Sequence, residues 1–438
     1  MKKMSLVTGA AVGALLAVGV VSQADAATRH KAAAVAEGPS AAETQAAEID
    51  SLREQVRILT DRLNAIEGNQ AAVQQQAAQA QASAQAAQDQ VATLPTQVKS
   101  EVAAATPKPK PSWADNTSVS GRMYFDVSHI DHKNNGVKQS DTGTGFDIKR
   151  FYVGIDHKFN DTFSGNVTTD VTYNSGQQVD VYVKKAYLQA KVNDALTLRF
   201  GSADLPWIPF AEDVYGFRYI ENTVADRTKY GTSADWGVHA MGKVGMVSYA
   251  VSAINGNGYK NPTRSKSVDL EGRVGATFSG VTLGLGGYTG KLGKDVEGVT
   301  THHDATRWNA IAGYKYEGFR IGAEYFSTKN WNSVTSVNTD SANGTSLFAS
   351  YAFTPQVSAF GRYDWVRKSS TGNPSARDNY FNLGLQWEPT KIVDFALVYK
   401  RDEAKHGTFS TSNGTIGGAG ATGKGTYDEF GVFGQYRW

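Results

Sequence analysis

From Thr117 to the C-terminal Trp438 the chain alternates apolar and polar residues with a period of two. Val119, Gly121, Met123, Phe125 and Val127 interleave with Ser120, Arg122, Tyr124 and Asp126, which predicts a β-strand with one apolar and one charged face. The pattern returns about every twenty residues, clearly at Trp308/Ala310/Ala312/Tyr314, Phe381/Leu383/Leu385/Trp387 and Val393/Phe395/Leu397/Tyr399, and these apolar faces carry no charge. A soluble sandwich would have to expose charge on its outer faces, whereas a barrel in lipid would not.

Connections between the strands alternate between tight and long. Tight ones fall at Asn160-Asp161, Asn193-Asp194, Gly245-Met246, Ser279-Gly280, Glu317-Gly318, Thr354-Pro355 and Pro389-Thr390. Polar loops occupy 130–145, 174–178, 202–232, 255–267, 291–305, 330–344, 369–377 and 404–424. Seven turns and eight loops join sixteen strands, so the expected fold is all-β, a 16-stranded antiparallel transmembrane β-barrel over 117–438 with both ends on the short-turn side. Phe278, Phe319, Phe353 and Trp387 near the turns, with Tyr325, Trp365 and Tyr399 toward the loops, are placed as two interfacial girdles. The last strand alternates through Phe430, Val432 and Tyr436 to the aromatic Trp438, similar to the terminal signal of outer-membrane barrels.

The period changes upstream. Ile49, Leu52, Val56, Leu59, Leu63 and Ile66 follow three-four spacing, continued by Val73, Ala77, Ala80, Ala84, Ala87, Val91 and Leu94, so 49–94 is expected to be an α-helical coiled coil in the periplasm. Glu48 and Arg62 then occupy g positions, complementary to Arg53 and Glu67 at e in a parallel copy. A lone alanine- and glutamine-rich spacer is the alternative. Residues 1–26, with Lys2 and Lys3, an apolar run and Ala24-Asp25-Ala26, read as a secretory signal peptide; 27–48 is expected to be flexible and 95–116 a Pro-rich linker.

Composition narrows the function. With no cysteine there are no disulfides or thiolate sites, and 44 basic against 42 acidic residues give no global field for nucleic acid. His129-x-x-His132 and His302-His303-Asp304 lack a third ordered ligand, so no metal, cofactor or catalytic residue is assigned and the protein is not expected to be an enzyme. A barrel of about sixteen strands leaves an aqueous lumen, which makes a diffusion pore the natural function.

The third loop, 202–232, is the longest and is expected to fold inward as the constriction. Its Asp204, Glu212 and Asp213 would face Arg122, Arg150 and Lys185 on the wall, with Arg199 slightly lower; Trp207, Phe210 and Tyr215 would offer ring faces, for instance to sugars. Period-two phasing points nine bases inward (Arg122, Arg150, Lys185, Arg199, Arg273, Arg307, Arg320, Arg362, Lys400) and nine acids (Asp126, Asp156, Asp170, Asp235, Asp269, Glu271, Glu324, Asp364, Asp394), which predicts weak charge selectivity.

The chain from about 117 to 438 carries a resemblance, most specific from 146 to 231. Ile148-Lys149-Arg150-Phe151-Tyr152-Val153-Gly154-Ile155, Lys185-Ala186-Tyr187-Leu188, and Leu198-Arg199-Phe200-Gly201 before Pro206-Trp207 are similar to the phosphate-selective porin family, the porin O and porin P type. Where that family commonly has a lysine before the proline, this chain reads Ala203-Asp204-Leu205. The resemblance implies a sixteen-stranded, homotrimeric outer-membrane porin in contact with lipid, without carrying over phosphate selectivity. The expected function is passive diffusion of small hydrophilic solutes or ions. The alternative is a structural anchor, with the coiled coil tethering the outer membrane to the cell wall.

Overall fold

The computed structural model describes residues 41–92, 112–173, 178–300, 303–371 and 373–438. The signal peptide, most of the flexible segment and of the Pro-rich linker, Leu94, His302 and the loop at 174–177 lie outside the described residues.

Sixteen strands close into one antiparallel barrel. They are β1 (Thr117–Asn134), β2 (Gly143–Lys158), β3 (Phe163–Tyr173), β4 (Val179–Asn193), β5 (Leu196–Asp204), β6 (Ala234–Val244), β7 (Val247–Ile254) and β8 (Asp269–Phe278). The second half comprises β9 (Val281–Gly290), β10 (Ala305–Tyr316), β11 (Phe319–Lys329), β12 (Asp340–Ala352), β13 (Val357–Ser370), β14 (Asn373–Thr390), β15 (Val393–Lys405) and β16 (Lys424–Arg437). Each pairs with its sequence neighbour, and β1 closes the ring by pairing with both β2 and β16, Arg122 opposite Arg437 through Asn134 opposite Gly425. The backbone of Trp438 continues this seam: its N–H donates to the Gly121 carbonyl, and that of Gly121 to the Trp438 carbonyl, both at 3.1 Å.

The tight turns have the chemistry that hairpins require. Ser279-Gly280 (φ 47° and 81°) and Glu317-Gly318 (φ 44° and 81°) place two residues with positive φ in succession, the type I′ pattern that matches strand twist. Two turns shift. Asn193 still pairs with Leu196, moving the turn to Asp194-Ala195, and Pro389-Thr390 lies inside β14, with Lys391-Ile392 turning instead. Several of the long loops are shorter than expected, because strand ladders continue beyond the apolar zone: β1 runs to Asn134, β12 begins at Asp340, and β13 and β14 are separated only by 371–372. A backbone ladder needs no apolar side chain. The last loop contains its own hairpin, Thr408–Thr411 with Gly414–Gly417.

Outward positions are apolar and exposed, among them Val127, Ile155, Val183, Val274, Leu285, Ile321, Leu347, Leu383, Leu397 and Val432. Inward positions hold buried charge: Asp126, Asp170, Glu271, Arg307, Glu324, Arg362, Asp364, Lys400 and Glu429. The register shifts near strand ends at Lys191/Asn193, Lys368/Ser370 and Trp387/Thr390, and within the body of the wall at two further places. A bulge where β1 meets β2, between Tyr124 and Phe125, leaves Lys149 without an opposing residue, and one between Thr168 and Thr169 does the same for Lys184. Each bulge turns two consecutive bases inward, Lys149-Arg150 and Lys184-Lys185, while Ile148, Phe151 and Val183 stay outside.

The N-terminal unit contains α1 (Ala41–Ala92), 52 residues long, so helix begins within the segment 27–48 expected to be flexible. Its alanine- and glutamine-rich sequence is a good helix former. Ile49, Leu52, Val56, Leu59, Leu63 and Val73 are exposed along the helix. Nearer the barrel, Ser112 caps a 3₁₀ turn, Trp113–Asn116, through Ala114 N–H at 3.2 Å, and the Asp115 carboxylate accepts from Ser112 N–H at 2.6 Å.

Candidate functional site

The segment 205–233 between β5 and β6 packs on the inward faces of the barrel strands. After Pro206 it forms α2 (Ile208–Tyr215), with Pro209 in the first turn, and ends at Gly216, whose φ of 84° suits glycine. Its apolar side lies in a trough made of glycines on inward positions. A β-carbon on Gly286 would overlap the Trp207 ring, one on Gly284 the Phe210 ring, and one on Gly313 the Val214 side chain. Trp207 is fully buried, yet its polar groups are satisfied: the backbone N–H donates to Glu271 at 3.0 Å and the indole N–H to Glu324 at 2.8 Å.

The far end of the segment is tied by charge. In the short helix α3 (Val224–Arg227), Arg227 is buried with its guanidinium 3.0 Å from Asp364 on β13, 2.5 Å from Asp378 on β14 and 2.8 Å from Asp402 on β15. The Tyr380 ring lies 4.5 Å away. Arg362 donates to the Asn222 carbonyl at 2.5 Å and Arg307 to that of Tyr230 at 2.6 Å. Polar and apolar contacts thus fasten the segment to the wall from β8 to β15 and leave the β2–β5 wall open.

Of the charged residues expected at the constriction, Arg122, Lys185, Arg199, Asp204, Glu212 and Asp213 line one cavity and Arg150 another, but most pair with neighbours instead of across the lumen. Asp204 is the last residue of β5 and not part of the loop; it pairs at 2.9 Å with Lys185 on the adjacent β4, not across the lumen. Arg150 donates to Asp170 at 2.9 Å and to the Tyr182 hydroxyl at 3.1 Å, away from the loop acids. Glu212 is held at 2.5 Å by Arg218 of the same loop. Asp213 on α2 is accessible to the lumen; partial desolvation by the surrounding wall, against the pull of Arg122, raises its carboxyl pKa. Arg122 is also exposed, donating to the Tyr124 hydroxyl at 3.3 Å, and Arg199 donates to Gln189 at 2.9 Å beneath the Tyr187 ring. The loop aromatics do not present ring faces to solutes. Trp207 sits on the wall glycines, Phe210 against Arg273 at 4.1 Å, and Tyr215 edge-on to Phe348 at 5.4 Å.

Two cavities remain between the loop and the open wall. The one toward the short turns, about 780 Å³, is lined by seven bases and four acids: Arg122, Lys184, Lys185, Arg199, Arg218, Lys391 and Arg437 against Asp156, Asp204, Glu212 and Asp213. The one toward the long loops, about 500 Å³, is lined by Lys149, Arg150, Arg218, Lys229, Lys260 and Lys400 against Asp141, Asp147 and Glu221. Tyr124 and Arg218 border both. Burial first, and then repulsion from Arg150, Lys229 and Lys184, lower the pKa of Lys260, showing how closely these bases gather.

The expected balance of nine acids and nine bases therefore does not describe the open space. Asp235 accepts the N–H groups of Gly256 and Gly258 at 2.9 and 3.1 Å, and Asp269 those of Lys291 and Leu292 at 2.8 and 2.7 Å, so both organise loops. Glu271, Glu324 and Asp364 hold the third loop. Lys149 and Lys184 escaped strict alternation, although a signal existed: two adjacent bases in a strand cannot straddle a lipid-facing wall, so each doublet calls for a bulge.

The sequence model of the Gram-negative porin family matches residues 71–407. Among solved structures, an anion-selective porin from Comamonas acidovorans aligns at 12% identity with a TM-score of 0.56, covering 74% of this chain and 99% of that one. OmpT of Vibrio cholerae aligns at 15% and 0.51, and the outer-membrane channel DcaP of Acinetobacter baumannii at 12% and 0.50, each covering 74% of this chain and 97% of its own. A comparison with curated proteins finds no match. With a closed sixteen-stranded barrel around a charged lumen, and a family match over most of its length, the chain belongs to the Gram-negative porin family and is an outer-membrane channel.

Proposed function

We propose that this channel passes small hydrophilic solutes by passive diffusion and favours anions, with the third loop forming its constriction at Arg218 and Tyr124. The observation that carries this reading is the excess of bases in both cavities, seven to four and six to three, meeting at one shared arginine. A surplus of one sign in a narrow, low-dielectric passage focuses potential and enriches the opposite ion. The likeness to phosphate-selective porins rests largely on the basic segment of β2, which suits anions in general. Asp204, in the Ala203-Asp204-Leu205 stretch where that family commonly has a lysine, neutralises Lys185 and argues against a dedicated phosphate relay. The loop aromatics, packed on the wall, give no support to a sugar pathway.

Reversal potentials in asymmetric KCl test the proposal. Anion selectivity is expected in the parent, moving toward cations in Arg150→Gln/Lys184→Gln/Arg218→Gln and weakening near ~1 M salt, where the Debye length is about 3 Å. A parent without selectivity would overturn the charge argument. A triple variant unchanged from an anion-selective parent would overturn the placement of the constriction.

The exposed apolar residues from Ile49 to Val73 support a second element of the reading. We propose that α1 pairs with copies of itself in a parallel three-stranded periplasmic coil on a homotrimeric porin, serving also as a stalk toward the cell wall. Single-channel conductance separates this combined role from that of a plugged tether, which would pass no current.

A further inference from the structure

Outside the barrel, at the long-loop end, the register aligns four bases on four neighbouring strands. Arg367 on β13 is opposite Arg377 on β14, Arg377 opposite Lys405 on β15, and Lys405 opposite Lys424 on β16. All four are exposed. They share the outward phase of Trp365, Leu383, Leu397 and Phe430, so they face away from the lumen. With strands about 4.8 Å apart, the row spans roughly 14 Å. Like charges directly opposite one another in a sheet repel, so such a row calls for a shared counter-anion.

The protein supplies little of that counter-charge. Glu403 pairs with Lys405 at 2.7 Å, and Asp428 on the same outer face is taken by Arg401 at 2.8 Å. Arg367, Arg377 and Lys424 have no acidic partner among the described residues. The height of the row identifies the missing partner. Arg367 lies two residues beyond Trp365, and one step further into the membrane zone the outward residues Tyr363 and Phe381 are themselves cross-strand partners. Aromatic residues mark the membrane interface, so the bases stand about 7 Å along the strand above it, at headgroup level. We propose that this rim of β13–β16 binds the phosphate groups of a phosphorylated glycolipid in the outer leaflet, with Arg367 and Arg377 supplying planar forks and Lys405 and Lys424 point charges. A second copy of the chain is a poorer occupant, because the acids on this outer face are already paired.

Native mass spectrometry of the full-length protein in detergent tests the site with bisphosphorylated lipid A and its dephosphorylated form as probes. The parent is expected to bind the phosphorylated lipid at least tenfold more tightly. Arg367→Gln/Arg377→Gln/Lys405→Gln/Lys424→Gln should remove that preference while keeping the parent's conductance, which verifies its fold. Lys329→Gln, outside the row, should bind as the parent does. Equal binding of both lipids by the parent, or an unchanged preference in the quadruple variant, would overturn the proposal. So would a change in subunit stoichiometry of the quadruple variant without added lipid, which would assign the row to a protein contact.

Discussion

Arg227 gives the strongest test of how the third loop is held. Its guanidinium meets three carboxylates, all fully buried. In Arg227→Met, Asp364 retains Arg362, which donates to it at 2.8 and 2.6 Å. Asp378 and Asp402 have no such second arginine, and one oxygen of each already lacks a hydrogen-bond partner. The substitution therefore strands two buried carboxylates, and breaking a buried ion pair on one side costs about 3–5 kcal/mol. Making those acids amides removes the buried charge and leaves at most unsatisfied polar groups, at about 1–3 kcal/mol each. Arg227→Met/Asp378→Asn/Asp402→Asn should consequently be more stable than Arg227→Met alone. Urea unfolding followed by tryptophan fluorescence measures both, with Trp207 and Trp331 as reporters near the loop, and open-channel noise in planar bilayers reports loop motion. The single variant should be destabilised and noisy, and the triple variant partly restored in stability. A single variant as stable and quiet as the parent, or a triple variant no better than the single, would refute the view that Arg227 is the electrostatic anchor.

The closing seam offers a second test: a β-carbon on Gly121 would overlap the Trp438 ring, which also packs on Tyr436 at 5.2 Å and Phe151 at 5.9 Å. Gly121→Val should lose about 1–3 kcal/mol in urea unfolding, whereas Gly145→Val, with open space around it, should not change through overlap. For the N-terminal helix, a peptide of residues 41–92 should sediment as a trimer and become monomeric in Leu59→Glu/Leu63→Glu; a peptide that stays monomeric at high concentration removes the stalk.

Much of the barrel was legible because lipid imposes a strict rule: every second residue of a spanning strand must be apolar, so sixteen faces repeat one signal. Turn positions followed from glycine and short polar pairs, and the misses at Asn193-Asp194 and Pro389-Thr390 are slips of one or two residues where the ladder runs on past the polar pair. The site was less legible because a loop's partners cannot be read from periodicity. Trp207 and Phe210 resemble ligand-stacking rings until the inward glycines Gly284 and Gly286 supply the surface they cover. Those glycines were themselves a signal, since an inward position in a charged lumen has no reason to be empty unless another group fills it.

Counting inward charges by phase alone misses their partners for a similar reason. An inward carboxylate that is ion-paired within the wall adds little net potential to a pore, and the same holds for the base it pairs with. Asp269 spends its oxygens on loop N–H groups and the Tyr288 hydroxyl, while Asp364, Asp378 and Asp402 surround an arginine that solvent does not reach. These acids are structural ties for the loops, which arrive on the β8–β15 side. The opposite wall receives no loop, and its two bulges add Lys149 and Lys184 to the bases that alternation already supplies. Where the loop is fastened, acids and bases are buried together, Arg227, Arg307 and Arg362 with Asp364, Asp378, Asp402 and Glu271. On the open wall Lys149, Arg150 and Lys185 keep Asp126, Asp170 and Asp204 as partners, while Lys184, Lys229 and Lys260 have no acidic partner among the described residues. The anion preference proposed above rests on those unpaired bases, and so on which half of the wall the loop leaves uncovered.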